Sequence, residues 1–180
     1  MVNPNAKGAA YERGVCQRLS LWVSDMERED VFWRSAMSGG RAKLKSRKAR
    51  GKAFSAQSGD ISAIHPLGNL LLDYFVIECK FYQNLQLRQV VYGREGKLDQ
   101  IWEEPSQEAR RTGREPLTIA RQNRQQDIVL TTAKGIEWLS CGSDEALPVL
   151  ATFPPRGIHV MMFADMLMLD FNRIREVYDE

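Results

Sequence analysis

From Lys7 to about Ser24 the apolar residues Tyr11, Val15, Leu19, Trp22 and Val23 recur at spacings of three and four, which predicts an amphipathic helix that Asn3 or Asn5 could cap. Val31-Phe32-Trp33 then begins a short strand-like run that ends at Ser38-Gly39-Gly40. After the turn Ser58-Gly59 a second short strand is expected over Asp60 to Ile64. His65-Pro66-Leu67-Gly68-Asn69 has the residues of a hairpin loop, and Leu70 to Phe81, rich in Leu, Val, Ile and aromatics, reads as a longer strand.

Residues 84 to 112 are more helical, with Ile101, Trp102 and Ala109 on one side. Gly93, Gly96 and Pro105 are expected to interrupt that helix and Gly113 to stop it. Pro116 to Arg121 and Asp127 to Thr132 read as two further strands joined at Asn123-Arg124-Gln125-Gln126. Ile158 to Phe163 reads as another strand, and a closing helix is expected from about Phe171 to Tyr178. The order helix, strand, strand, strand, helix, strand, strand predicts one mixed α/β sheet with helices on its faces. No repeat or long linker divides the chain, so residues 1 to 180 are expected to form a single domain whose last part, about 133 to 180, is an extension of this core.

Composition narrows the class. At 180 residues, 43% hydrophobic and 27% charged, the chain is large enough to bury its own core, and no apolar stretch approaches a bilayer span. Met1-Val2-Asn3-Pro4 lacks the charged-then-apolar pattern of a signal peptide, so a cytoplasmic location without membrane association is expected. Cys16, Cys79 and Cys141 are far apart and odd in number, which indicates neither a disulfide framework nor a zinc knuckle; buried reduced thiols are expected.

The formal net charge of +2 changes meaning once it is mapped. Arg41, Lys43, Lys45, Arg47, Lys48, Arg50 and Lys52 form a run of seven cations without an acid, while the rest of the chain carries 18 basic and 23 acidic groups, a balance of −5. The run lies in a Gly-, Ser- and Ala-rich stretch, about 39 to 58, that reads as a loop. It is either a solvated loop or an arm that contacts the phosphates of nucleic acid.

The chemistry concentrates at Gly59-Asp60 and, 18 residues after Asp60, at Ile77-Glu78-Cys79-Lys80. In a strand, residues i and i+2 share a face, so Glu78 and Lys80 emerge together while Ile77 and Cys79 turn to the core. A hairpin would return Asp60 beside them. An acid and a lysine at the end of an oily strand need compensation, and a divalent cation held by Asp60 and Glu78 supplies it. Hard carboxylate oxygens suit Mg²⁺, with Mn²⁺ able to substitute, and such an ion supports phosphodiester hydrolysis while Lys80 orients water or neutralises charge.

Asp60 with Glu78-Cys79-Lys80 resembles the metal-binding signature of the PD-(D/E)xK nuclease superfamily, Gly59 standing where that family has proline. Lys7-Gly8-Ala9-Ala10-Tyr11-Glu12-Arg13 resembles the first helix of archaeal-type Holliday junction resolvases and their phage relatives. The resemblance implies a restriction-endonuclease-like mixed sheet flanked by helices, an α-β-β-β-α-β-β core. It assigns Glu12 to the metal site beside Asp60, Glu78 and the backbone carbonyl of Cys79. It makes Ser38, in the stretch Ser35-Ala36-Met37-Ser38-Gly39-Gly40, a phosphate contact. A metal-dependent DNA endonuclease is implied, acting on branched duplex DNA such as a Holliday junction, with homodimerisation placing two sites on one junction. A nuclease for linear or damaged duplex and a non-catalytic DNA-binding protein of the same fold are the alternatives.

Other residues have blander readings. A surface salt bridge between Glu78 and Lys80 would need no Asp60 at all. Asp73 reads as an edge or hairpin residue, His65 as a solvent-exposed turn residue and His159 as a satisfied core histidine. Met161, Met162, Met166 and Met168 read as adaptable core or dimer surface rather than a cofactor site. Gln122, Asn123 and Arg124 end a strand where they could contact DNA backbone. For the basic arm, neutralising its seven charges is expected to flatten the dependence of DNA binding on salt concentration; an unchanged slope in a salt titration would show that the arm is only a solvated loop.

Overall fold

Helix α1 (Pro4–Val23) buries the stripe Tyr11, Val15, Cys16, Leu19, Trp22 and Val23, the periodicity that marked it in the sequence. The structure, a computed structural model, describes residues 4–35 and 59–178. Ser38 and the cations from Arg41 to Lys52 lie outside the described residues.

Beyond α1 come β1 (Phe32–Arg34) and β2 (Ile61–Ala63), which pair antiparallel with Trp33 opposite Ser62. A 3-10 turn, Pro66–Gly68, leads to α2 (Asn69–Tyr74) and then to β3 (Phe75–Tyr82). Next follow α3 (Leu87–Val91), α4 (Leu98–Thr112), β4 (Glu115–Gln122) and β5 (Ile128–Thr131). The chain continues through α5 (Ala133–Ser140), β6 (Ala151–Phe153), β7 (Ile158–Met162), α6 (Phe163–Met166) and α7 (Phe171–Tyr178).

The large sheet has the order β3-β4-β5-β7-β6, with β3 and β4 parallel and the remaining pairs antiparallel. Alternation along the strands sends side chains to two cores. Ile77, Cys79, Leu117, Ile119, Val129 and Met161 pack with α1, α5 and α7 on one face. Ala120, Ile128, Leu130, Ile158 and Val160 pack with Leu98, Ile101 and Trp102 of α4 on the other. Helices on both faces of a mixed sheet make the architecture consistent with a restriction-endonuclease-like fold. No helix among the described residues is long and apolar enough to cross a membrane.

Several expectations are corrected. Leu70 to Phe81 is not one strand: Asn69–Tyr74 is helical and extended backbone begins at Phe75. Hydrophobicity alone does not separate the two halves, but branching does, since Leu70-Leu71-Leu72 favours helix and Val76-Ile77 favours strand. β2 therefore reaches β3 through a turn and a helix, not a hairpin. Pro105 does not interrupt α4, because its ring lies on the buried face with Ile101, Trp102, Ser106 and Ala109, and that burial offsets the missing N–H. Gly93 and Gly96, both at positive φ, do separate α3 from α4, and Gly113 at φ +71° ends α4.

Others concern the chain after Thr132, both histidines and Cys141. α5, α6 and β6 were not foreseen; the Thr132 side chain accepts from the Gly135 N–H and starts α5, which buries Trp138 against Tyr74, Phe75 and Phe171. His159 points outward on β7, its Nδ1 3.4 Å from Thr152 Oγ1, and is half-buried rather than a core residue. His65 is half-buried too, its ring accepting from the Leu67 N–H in the turn. Cys16 and Cys79 are buried thiols, as expected, while Cys141 is half-exposed; Met161 and Met166 are core and Met168 is exposed.

Ser20 fastens β1 to α1. Its hydroxyl is fully buried, donates to Cys16 O at 2.8 Å and accepts from the N–H groups of Val31 and Phe32 at 3.1 and 2.9 Å. Ser20→Ala leaves both N–H groups buried without this acceptor. The unfolding free energy is expected to fall by about 1–3 kcal/mol, seen as a lower urea midpoint with an unchanged slope; a midpoint equal to wild type would show that water replaces the hydroxyl.

Candidate active site

Two strands bring the chemistry together at one border of the sheet. β3 pairs with β4 on one side only. On its free side the Asp60 N–H donates to Ile77 O at 2.9 Å, and Asp60 Oδ2 accepts from the Cys79 N–H at 2.9 Å. The N–H and C=O of one residue leave a strand on the same side, so the Cys79 carbonyl shares this border with Asp60. Gly59 is what lets the segment lie so close. Its φ is +89°, and a Cβ there would sit 2.6 Å from Ile77 O. Proline, locked near −65°, cannot adopt that conformation, which accounts for glycine in the place of the motif's usual proline.

Glu78 and Lys80 project together, as their spacing predicts, but onto the face covered by α4 rather than into open solvent; their side chains are only 13% and 11% exposed. Lys80 Nζ lies 3.3 Å from Glu78 Oε2 and 3.0 Å from Glu104 Oε2 on α4. Burial, helped by the neighbouring charge of Asp60 and opposed by the pull of Lys80, holds the Glu78 carboxyl up at about 8. For Lys80 burial works against the charge, but Glu78 and Glu104 outweigh it and hold the ammonium above the ordinary lysine range. Burial also raises the carboxyl of Glu12, with Asp60 adding to the effect and Arg34 opposing it.

Glu12 comes from the opposite face of the sheet. It reaches toward Asp60 from α1, but its Oε2 is held by Arg34 Nε at 2.5 Å. Asp60 thus stands between two carboxylates that approach the border from opposite faces. Among the described residues no three His, Cys, Asp or Glu side chains are gathered tightly enough to hold a metal ion as they stand. The two that do meet, Asp60 and Glu78, fit a hard divalent cation: both are oxygen donors, their mutual repulsion is uncompensated within the pair, and Mg²⁺ completes its shell with water. Ser38 and Arg41, Lys43, Lys45, Arg47, Lys48, Arg50 and Lys52 fall outside the described residues.

Sequence reasoning missed two partners. Glu104 sits 24 positions from Lys80 on a helix whose many charges gave no reason to choose it. Arg34 lies at the end of a three-residue strand, where alternation is too short to assign a face. Of the strand-end residues, Gln122 accepts from the N–H groups of Leu85 and Leu87, and Asn123 accepts from Lys7 Nζ at 2.5 Å. Both serve the fold, Gln122 by holding the entry to α3 and Asn123 by tying down the start of α1.

The family model described as "Phage putative PDDEXK endonuclease" matches residues 3–144, and the chain belongs to that family. No curated protein and no solved structure matches it.

The raised carboxyls give the protein a pH signature. An unfolded chain releases the Glu78 proton near pH 4.5, whereas the folded protein retains it to about pH 8. Between these values the folded state binds more protons, so stability falls as pH rises. Urea titrations without divalent metal are expected to show this decline from about pH 5 to pH 8 and to show it flattened in Glu78→Gln; an undiminished decline in that variant would contradict the assignment.

Proposed function

We propose that this member of the PDDEXK endonuclease family is a Mg²⁺-dependent endodeoxyribonuclease whose substrate is branched duplex DNA of the Holliday junction kind. The observation that carries the nuclease reading is the pair of carboxylates, Asp60 and Glu78, converging on the free border of β3 with Lys80 beside them. The branched-DNA reading is supported by the likeness of residues 7–13 to the first helix of junction resolvases.

In this reading Asp60, Glu78 and the Cys79 carbonyl hold the ion, and Glu12 joins on leaving Arg34. When bound, the ion polarises the scissile phosphate and acidifies a water. The protein residues do the rest. Asp60, fixed by two hydrogen bonds, sets where the phosphate sits. With the ion bound Glu78 would stand as a carboxylate, because a bound cation reverses the effect of burial and of Asp60. Lys80 stays an ammonium, since Glu78 and Glu104 both favour the charged form. As an ammonium it serves as an electrostatic partner for negative charge on the attacked phosphate. Arg34, paired with Glu12, places a second cation at the same border. DNA as partner, Mn²⁺ in place of Mg²⁺ and a homodimer are part of the same proposal.

Cleavage of four-way junctions and of linear duplexes of equal length, measured side by side with Mg²⁺, tests it. Wild type is expected to prefer the junction, and Asp60→Ala to lose about 10²-fold or more in rate. Equal cleavage by both proteins would falsify the site; equal cleavage of both substrates would remove the branched-DNA reading alone.

A further inference from the structure

Trp33 is an anomaly of burial. Trp22, Trp102 and Trp138 are at most 7% exposed, but Trp33 is 57% exposed while Phe32 beside it is buried. Trp33 helps line a cleft of about 220 Å³ between α1 and β1. Arg13 and Gln17 contribute from α1 and Arg34 from β1, while the buried Cys16 and Phe32 lie deepest. The exposed Glu29 is on the margin. A volume below the ~300 Å³ of small-ligand pockets suits one planar ring and little more.

The cleft is registered to the carboxylate border. Arg34 lines it and holds Glu12. Ser35, two residues beyond Trp33, donates its N–H to Asp60 O at 2.8 Å, and its hydroxyl meets that of Ser62 at 2.7 Å. Two residues of extended chain span about 7 Å, so Trp33 lies about that far along the chain from the residue that hydrogen-bonds Asp60.

We propose that Trp33 is a stacking platform for a base left unpaired where duplex arms meet, with Arg13 meeting the adjoining phosphate, so that the branched substrate is engaged at a base without a partner. This rests on the nuclease reading of the neighbouring carboxylates. A base inside a duplex has both faces covered by its neighbours, so only an unpaired one offers a π-face to the indole. Stacking of this kind is tolerant of sequence. Glu29 repels phosphate from its own margin and leaves the Arg13 side for the backbone.

The other three tryptophans are buried, so quenching of intrinsic fluorescence by stacking reports on Trp33. The full chain, kept without divalent metal so that nothing is cut, is titrated with a single-stranded oligonucleotide and with a blunt duplex of the same length. Quenching is expected with the single strand and not with the duplex. By fluorescence anisotropy of labelled DNA, Trp33→Ala is expected to weaken single-strand binding by about 5- to 150-fold and to leave duplex binding unchanged. Trp33→Phe, which keeps a stacking ring and a core-compatible shape, should bind near the wild-type level. Quenching by both DNAs alike, or a Trp33→Ala protein that matches wild type on the single strand or loses both DNAs equally, would overturn the proposal. Because binding is read without metal, the parallel cleavage assay separates the two readings: wild type that quenches but never cuts keeps the stacking site and removes the nuclease, and wild type that cuts but is not quenched by the single strand does the reverse.

Discussion

Asp60 is held against an open sheet border by two hydrogen bonds, one given by its own N–H to Ile77 O and one received by its carboxylate from the Cys79 N–H. Everything chemical in the molecule is arranged around that docking. It fixes a carboxylate at a strand whose next outward-facing groups include the Cys79 carbonyl, and its charge adds to the burial that raises Glu78 and Glu12. It also demands a residue without Cβ at position 59. One bond is backbone on backbone and the other closes the carboxylate on a backbone N–H, so the segment is held as two long side chains would not hold it, and the carboxylate is positioned before any ligand arrives.

The second requirement is that α1 stay in place over the same border. Ser20 ties β1 to it from below. The buried Asp127, next to β5, receives Arg18 of α1 at 2.7 Å and Arg121 of β4 at 2.6 Å, so one carboxylate clamps helix and sheet together. Lys7 at the start of α1 lies over the Phe81 ring at 4.3 Å and binds Asn123. Glu12 rides on this fixed helix, and its partner Arg34 rides on the fixed strand. Their ion pair, at 2.5 Å, is therefore a property of the scaffold rather than a chance meeting on the surface.

How much of this was readable in the chain depended on whether a pattern was local. The stripe of α1, the stop at Gly113 and the i, i+2 placement of Glu78 and Lys80 follow from periodicity and from the conformation of single residues. Asp60 and Glu78 were recognisable as a pair because both border the same short motif. The helix within Asn69–Tyr74 was hidden because an unbroken apolar run carries no period. The sheet order, with β7 between β5 and β6, depends on contacts between distant segments that no local pattern records. Glu104 and Arg34 were out of reach for the same reason, since their roles arise only once α4 and β1 are packed beside the border.

A border strand exposes a row of unpaired N–H and C=O groups that any extended chain, including another copy of the protein, could join. In this molecule the stretch of β3 around Ile77 and Cys79 is covered by the same two-residue segment, Gly59-Asp60, that carries the central carboxylate. Asp60 is thus also a stopper against edge-to-edge strand pairing, and the charge it places on that strip is itself a deterrent to it. Selection on this segment acts on two traits at once: variation that relaxes the chemistry also unseals the sheet. A chain that gave up nuclease activity would still be under pressure to keep an acceptor at position 60.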